Sequence, residues 1–182
     1  MNVKVKATIV DAEGLSRTLT RLSHEIIEKN TGAKSLAIIG LKTRGEFLAR
    51  RIAEKIESIE GTKMEVGTLD VSLYRDDWRE SMKHPEVQVS DISFDIDSMN
   101  VILIDDVLYT GRTIRAALDA LMDYGRPASI QLAVLVDRGH REMPIAPDFI
   151  GKNIPTSIGE EVRVKMTEVD DEDSILLVEV GD

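Results

Sequence analysis

The chain has 182 residues, a length that favours one domain with a sizeable core, and none of its apolar runs approaches the ~20 residues of a membrane-crossing helix. It contains no cysteine, which excludes disulfides and thiolate-bound metal, and its three histidines, at 24, 84 and 140, lack zinc-ligand spacing. A net charge of −10 argues against non-specific nucleic-acid binding, and with no secretion leader visible the expected location is the cytoplasm.

Asp11 caps a first predicted helix that runs to about Asn30, with Leu15, Leu19, Leu22 and Ile26 as its apolar stripe and Gly32 as its stop. Arg17, Arg21 and His24 fall on the opposite stripe, with Thr20 beside His24. Ser35 to Gly40 reads as a buried strand and Leu41 to Gly45 as a polar turn. A helix follows with Phe47, Leu48, Ile52, Ile56 and Ile59 inward, ended by Gly61. Met64 to Tyr74 reads as a long strand. The charged stretch Arg75 to Val89 has no core pattern and reads as a lid over about residues 74–90. Ile92 to Ile96 is expected to return as a strand, forming a hairpin with the lid at its tip.

Val101 to Ile104 is a strand buried on both faces that stops at Asp105 and Asp106. A turn with Thr110, Gly111 and Thr113 leads into a helix with Ile114, Leu118, Leu121 and Met122 at helical spacing. Ile130 to Val136 is another buried strand, and short strands are expected at Phe149–Ile150, Val162–Met166 and Ile175–Val180. From Glu160 onward there are nine acids and two bases, read as a solvated edge. Repeated strand–turn–helix units predict an α/β fold with a mostly parallel central sheet flanked by helices, in a single domain over 1–182.

The segment from Val101 to Thr113 carries the most chemistry. Two carboxylates at the end of a parallel strand, followed by a helix start, place oxygen ligands beside backbone N–H groups that favour anions. Adjacent buried acids are unfavourable unless they bind something. The expected ligand is phosphorylated and rich in hydroxyls.

This segment resembles the phosphoribosyl-pyrophosphate (PRPP) signature of type I phosphoribosyltransferases. The resemblance implies that Asp105 and Asp106 act in catalysis on the ribose hydroxyls. Val107, Leu108, Tyr109, Thr110, Gly111, Arg112 and Thr113 would cradle the 5′-phosphate. Lys42-Thr43-Arg44-Gly45 matches the family's pyrophosphate loop, with two cations, a glycine and a peptide that is often cis. Mg²⁺ would be held mainly by substrate and water, with no dedicated protein cage. Lid closure would bring Arg75 over the pyrophosphate, and Arg138 and Val162 would contact uracil. A hood over residues 148–182, mainly 150–162, would cover the base.

Longer runs resemble one subgroup, the bifunctional pyrimidine-operon attenuation regulators and uracil phosphoribosyltransferases. These are Leu-Thr-Arg-Leu-Ser-His-Glu at 19–25, Leu-Tyr-Arg-Asp-Asp at 73–77, Gly125-Arg126-Pro127, Asp-Arg-Gly-His-Arg-Glu at 137–142 and Gly-Lys-Asn-Ile-Pro-Thr-Ser at 151–157. That resemblance implies two activities. One makes UMP and pyrophosphate from uracil and PRPP; the other binds a hairpin in leader mRNA when UMP fills the pocket. RNA contacts would match at Thr20, Arg21, His24, Arg141 and Lys152, with Lys29 replacing an arginine. A homodimer, alone or paired into a tetramer, would enlarge the basic patch. Ala146 departs from the pattern, where a further base is expected. A nucleotide sensor with vestigial catalysis, or a transferase for another nucleobase, stands as the alternative.

Overall fold

The computed structural model describes residues 3–74 and 89–181. In chain order its elements are β1 (Val3–Val10), α1 (Ala12–Asn30), β2 (Leu36–Leu41), α2 (Arg44–Glu60), β3 (Glu65–Leu69), β4 (Asn100–Leu108), α3 (Arg112–Leu121), β5 (Ser129–Asp137), β6 (Phe149–Asn153), β7 (Glu160–Lys165), α4 (Thr167–Asp170) and β8 (Ser174–Val180). Strands β3-β2-β4-β5-β6 form one sheet with every neighbouring pair parallel, and β1-β8-β7 form a second, antiparallel sheet. No helix among the described residues is long and apolar enough to cross a membrane.

The central strands are apolar without alternation because helices cover both faces. On one side Leu15, Leu19, Leu22 and Ile26 of α1 and Leu48, Ile52 and Ile56 of α2 pack on Ile38, Ile102, Ile104 and Leu135. On the other, Ile114, Ala117 and Leu121 of α3 pack on Ile39, Val101, Leu103 and Val134. Each fully buried aliphatic side chain contributes about 1.5–3 kcal/mol. Two members of the expected stripes fall outside: Ile59 is 41% and Met122 52% exposed, since each sits at a helix end.

Asp11 caps α1 as expected, its Oδ1 accepting from the Gly14 N–H at 2.8 Å. The stop differs by one residue: Thr31 adopts the left-handed conformation ahead of Gly32, closing the helix with N–H bonds back to Glu28 and Ile27. Strand β3 is much shorter than predicted. Asp70 Oδ1 accepts from both the N–H and the hydroxyl of Ser72, at 2.9 and 2.6 Å, and turns the chain away. The return strand at 92–96 is absent. Among the described residues after β3, Asp91 alone bridges back to it, exchanging two 2.8 Å bonds with Thr68, while Ile92 and Phe94 serve as core plugs.

After β3 the chain returns to the far side of β2, so β2 and β4 are neighbours at the point where strand order reverses. The loops following them diverge there and open a crevice. Two glycines allow α2 to seat tightly against it. A Cβ on Gly40 would lie 2.4 Å from the Gly45 carbonyl, and one on Gly45 would lie 2.6 Å from the Ile104 carbonyl. Gly45 therefore serves the approach of helix to strand. Gly45→Ala is expected to lower stability by about 2 kcal/mol, as overpacking does; an unchanged urea midpoint would contradict this packing.

The stretch expected as the hood divides between the two sheets: β6 belongs to the central sheet, while β7 and β8, joined by α4, pair with β1 in the second. The acidic tail is not simply a solvated edge, because three of its carboxylates, Glu168, Asp170 and Asp173, are ion-paired to α2. Arg51 of α2 grips Asp173 through Nη1 and Nη2 at 2.6 and 2.9 Å and Glu168 through Nε and Nη2 at 2.9 and 2.6 Å. Hydrogen bonding to Arg51 holds the Asp173 carboxyl below its usual range, against an opposing effect of burial. A depressed carboxylate contributes stability that is complete above the unfolded value near 3.8 and disappears as pH falls through the lower folded value. Thermal midpoints should accordingly fall more steeply below about pH 4 in the wild type than in Arg51→Met. Parallel acid profiles would remove the clamp from the account.

Candidate functional site

Strand β4 does not end at its acids; it continues through them to Leu108, with Asp105 beside Val134 and Leu108 beside Asp137 of β5. Asp105 is 8% exposed. The pair is braced by its own backbone: the Asp106 N–H donates to Asp105 Oδ1 at 2.9 Å, and the Val107 N–H to Asp106 Oδ1 at 2.8 Å. Burial pushes the Asp106 carboxyl above its ordinary range, outweighing the Val107 N–H and the charge of Arg44.

Asp106 opens onto a cavity of about 370 Å³ shared with Arg44, Asp170, Val162, Arg163, Val164 and Lys165. The fold thus brings together one predicted acid, one predicted pyrophosphate cation and one predicted uracil neighbour from β4, α2 and β7. The loop predicted to take pyrophosphate contains a cis peptide, between Lys42 and Thr43. Lys42 lies 4.0 Å from Glu46. Arg44 forms a bidentate pair with Asp170, at 3.1 and 2.8 Å. Arg75, expected to close over this cavity, lies outside the described residues, as does most of the lid.

The loop from Tyr109 to Thr113 wraps the start of α3. Gly111 occupies the N-cap at φ 93° and has no side-chain acceptor to offer the helix, so the positive end of α3 meets the loop. The Thr110 carbonyl accepts from the Glu142 and Met143 N–H groups at 2.9 and 3.0 Å, and Arg112 Nε donates to Glu142 at 2.7 Å. The segment after β5 therefore buttresses the loop from behind. Arg138 spans sheet and hood. It stacks over the Tyr109 ring at 4.0 Å while donating to Thr156 Oγ1 at 3.2 Å and to the Glu160 carbonyl at 2.6 Å.

The residues expected to meet RNA separate into two groups. Arg21 and Lys152 line a groove of about 550 Å³ between α1, the end of β1 and β6, together with Arg17, and His24 is exposed one turn further along α1. Arg21 also ties α1 to β6 by donating to the Ile150 and Gly151 carbonyls at 3.0 and 2.7 Å. Thr20 accepts from Lys55 Nζ at 2.9 Å. The second group is engaged internally. Lys29 pairs with Asp148 at 2.5 Å and lies over the Phe149 ring. Arg141 donates to the Ile145 carbonyl, the Tyr109 carbonyl and Asp137 Oδ2 at 3.0, 2.9 and 2.5 Å. The contributions of Asp170, Lys165 and β1 went unread in the sequence. For β1, the alternation of Val3, Val5 and Ala7 with lysines was the available signal.

The phosphoribosyl transferase domain family model matches residues 6–169. Curated relatives include "Bifunctional protein PyrR" of Latilactobacillus sakei, 57% identical over 93% of this chain and 96% of its own. The protein of the same name from Bacillus mycoides is 58% identical with the same coverage. Among solved structures, a hypoxanthine-guanine phosphoribosyltransferase of Bacillus anthracis superposes with a TM-score of 0.71 at 17% identity, covering 98% of this chain and 99% of its own. The hypoxanthine phosphoribosyltransferase of Trypanosoma cruzi gives 0.73 at 17%, covering 97% and 98%. At such identity these two establish the fold, which is that of the type I phosphoribosyltransferases. With signature, cavity and relatives in agreement, the chain belongs to the phosphoribosyltransferase family and, within it, to the PyrR proteins.

Proposed function

We propose that this protein transfers the phosphoribosyl group of PRPP to uracil, giving UMP and pyrophosphate. In the same reading, with UMP in the cavity, it binds a hairpin in the leader of pyrimidine-biosynthesis mRNA and promotes transcription termination. The observation that carries the first activity is the convergence of Asp106 and Arg44 on one cavity at the carboxyl edge of the sheet, with the strand that bears Asp106 leading into the N-terminus of α3.

The C1–pyrophosphate bond breaks as a ring nitrogen of uracil bonds to C1, through an oxocarbenium-like state, and that nitrogen's proton is released. Asp105 and Asp106 hold the ribose hydroxyls and stabilise positive charge on the sugar. The loop from Val107 to Thr113 holds the 5′-phosphate at the positive end of α3, and Lys42, Thr43 and Arg44 take the pyrophosphate. Val162 and Arg138 border the base. Exclusion of water is the role the resemblance implies for Arg75 and the stretch around it, which lies outside the described residues.

Asp106, adjacent to Asp105 on β4, borders a cavity that also holds Arg44 and Lys165. This donor set suits Mg²⁺ carried in by substrate oxygens and water, with Asp105 and Asp106 reaching its water shell. When bound, the ion neutralises charge on the departing pyrophosphate.

The groove lined by Arg17, Arg21 and Lys152 supports the regulatory half, since RNA loops are gripped through phosphates and unstacked bases. A two-fold dimer would present that groove twice, and light scattering should return twice the chain mass. Steady-state assays with PRPP, Mg²⁺ and a panel of nucleobases test the transfer reaction. Turnover with uracil alone is expected. No turnover would leave a nucleotide sensor, and preference for hypoxanthine or guanine would move the chain to another transferase class.

A further inference from the structure

Asp170 has no part in the reaction as set out above, yet it holds one of its cations. Its two oxygens receive the Nε and Nη2 groups of Arg44 in a parallel fork, at 3.1 and 2.8 Å. Oδ2 also accepts from the Met166 N–H at 3.0 Å, which fixes the carboxylate on its own turn. Asp170, Arg44 and Asp106 line the same cavity of about 370 Å³. Two residues away, Glu168 is gripped by Arg51, as is Asp173 three residues on, so the turn is anchored to α2 independently of Arg44.

We infer that Asp170 is a positioning residue: it orients the Arg44 guanidinium for the pyrophosphate half of PRPP and leaves affinity for uracil alone. The inference rests on the transferase reading. An arginine loses much rotamer freedom when it grips a ligand, and a fixed carboxylate removes that loss before substrate arrives. The fork occupies Nε and Nη2 and leaves the Nη1 amino group for a phosphate oxygen. A bare carboxylate beside pyrophosphate would repel it. Here both oxygens are turned onto N–H donors, and pairing with Arg44 keeps the acid ionised and neutralised.

The test compares wild type, Asp170→Asn, Arg44→Ala and the double substitution in steady-state assays of the full chain with Mg²⁺. Asp170→Asn should raise KM for PRPP roughly tenfold, the scale of a lost charge-assisted bond, while KM for uracil stays within about twofold. The double substitution should be no worse than Arg44→Ala, because the acid acts only through that arginine. An unchanged KM for PRPP overturns the proposal. So does a lowered one, which would make Asp170 a competitor for Arg44, or an additive loss in the double substitution. If Asp170→Asn unfolds, Asp170→Glu carries the test: its longer arm displaces the guanidinium and should raise KM for PRPP at least threefold, and a wild-type value contradicts the idea. Calorimetric binding of pyrophosphate with Mg²⁺ repeats the comparison without turnover. A wild type that binds pyrophosphate yet makes no UMP contradicts the transferase reading alone.

Discussion

Asp105→Asn combined with Asp106→Asn is expected to reduce kcat/KM for UMP formation by roughly 10²–10³-fold, in the range found when preorganised charge is removed from an active site. The expectation comes from where the charge sits. Burial holds the Asp106 carboxyl above its ordinary range, so the native state bears a desolvation penalty that binding would offset. Asparagine is nearly isosteric, and its amide oxygen can still accept from the Asp106 and Val107 N–H groups that brace the pair. The fold should therefore survive, with a thermal midpoint equal to or above that of the wild type. Rates within about threefold of wild type would take the acids out of the reaction.

His24→Ala with Lys152→Ala is expected to weaken leader-RNA binding by about 30-fold in the presence of UMP, from roughly 1 kcal/mol per lost contact. Uracil turnover should change by less than about twofold, because neither side chain lines the Asp106 cavity. These two residues are better probes than Arg21, whose bonds to the Ile150 and Gly151 carbonyls also join α1 to β6. The salt dependence should change in step: each lost phosphate contact reduces the slope of log affinity against log salt by about one. The net charge of −10 makes this contrast sharp, since there is little diffuse positive field to mask the loss of a local contact. Unchanged affinity in the double variant would remove the α1–β6 groove as the RNA face.

The reading from sequence succeeded where the signal was local. The run Val101 to Thr113 declares a buried strand, two acids and a helix start within thirteen residues, and each lies where it was expected except that β4 runs four residues past Ile104. The leucine stripe of α1 and the Asp11 cap are equally local. What escaped depends on contacts distant in the chain. β1 is stabilised by pairing with β8 at the other end of the sequence, so its weak alternation could be interpreted only with its partner in view. Asp170 and Asp173 looked like members of a solvated acidic run, and only the approach of α2 turns them into partners of Arg44 and Arg51. Arg141 shows the converse. The resemblance matches it to an RNA contact, and its guanidinium also bonds Asp137 and the Tyr109 and Ile145 carbonyls, an engagement no local pattern announces. Charge read from sequence gives the inventory, and tertiary structure decides which charges remain available.

The most direct measurement is a crystal structure of the protein with UMP. The nucleotide should sit with its phosphate on the Tyr109–Thr113 loop, its ribose hydroxyls against Asp105 and Asp106, and its base beneath Val162. Nucleotide density in the groove beside Arg17 and Lys152 with the acid pair uncontacted, or no density at saturating UMP, would contradict the assignment of this crevice as the site of transfer.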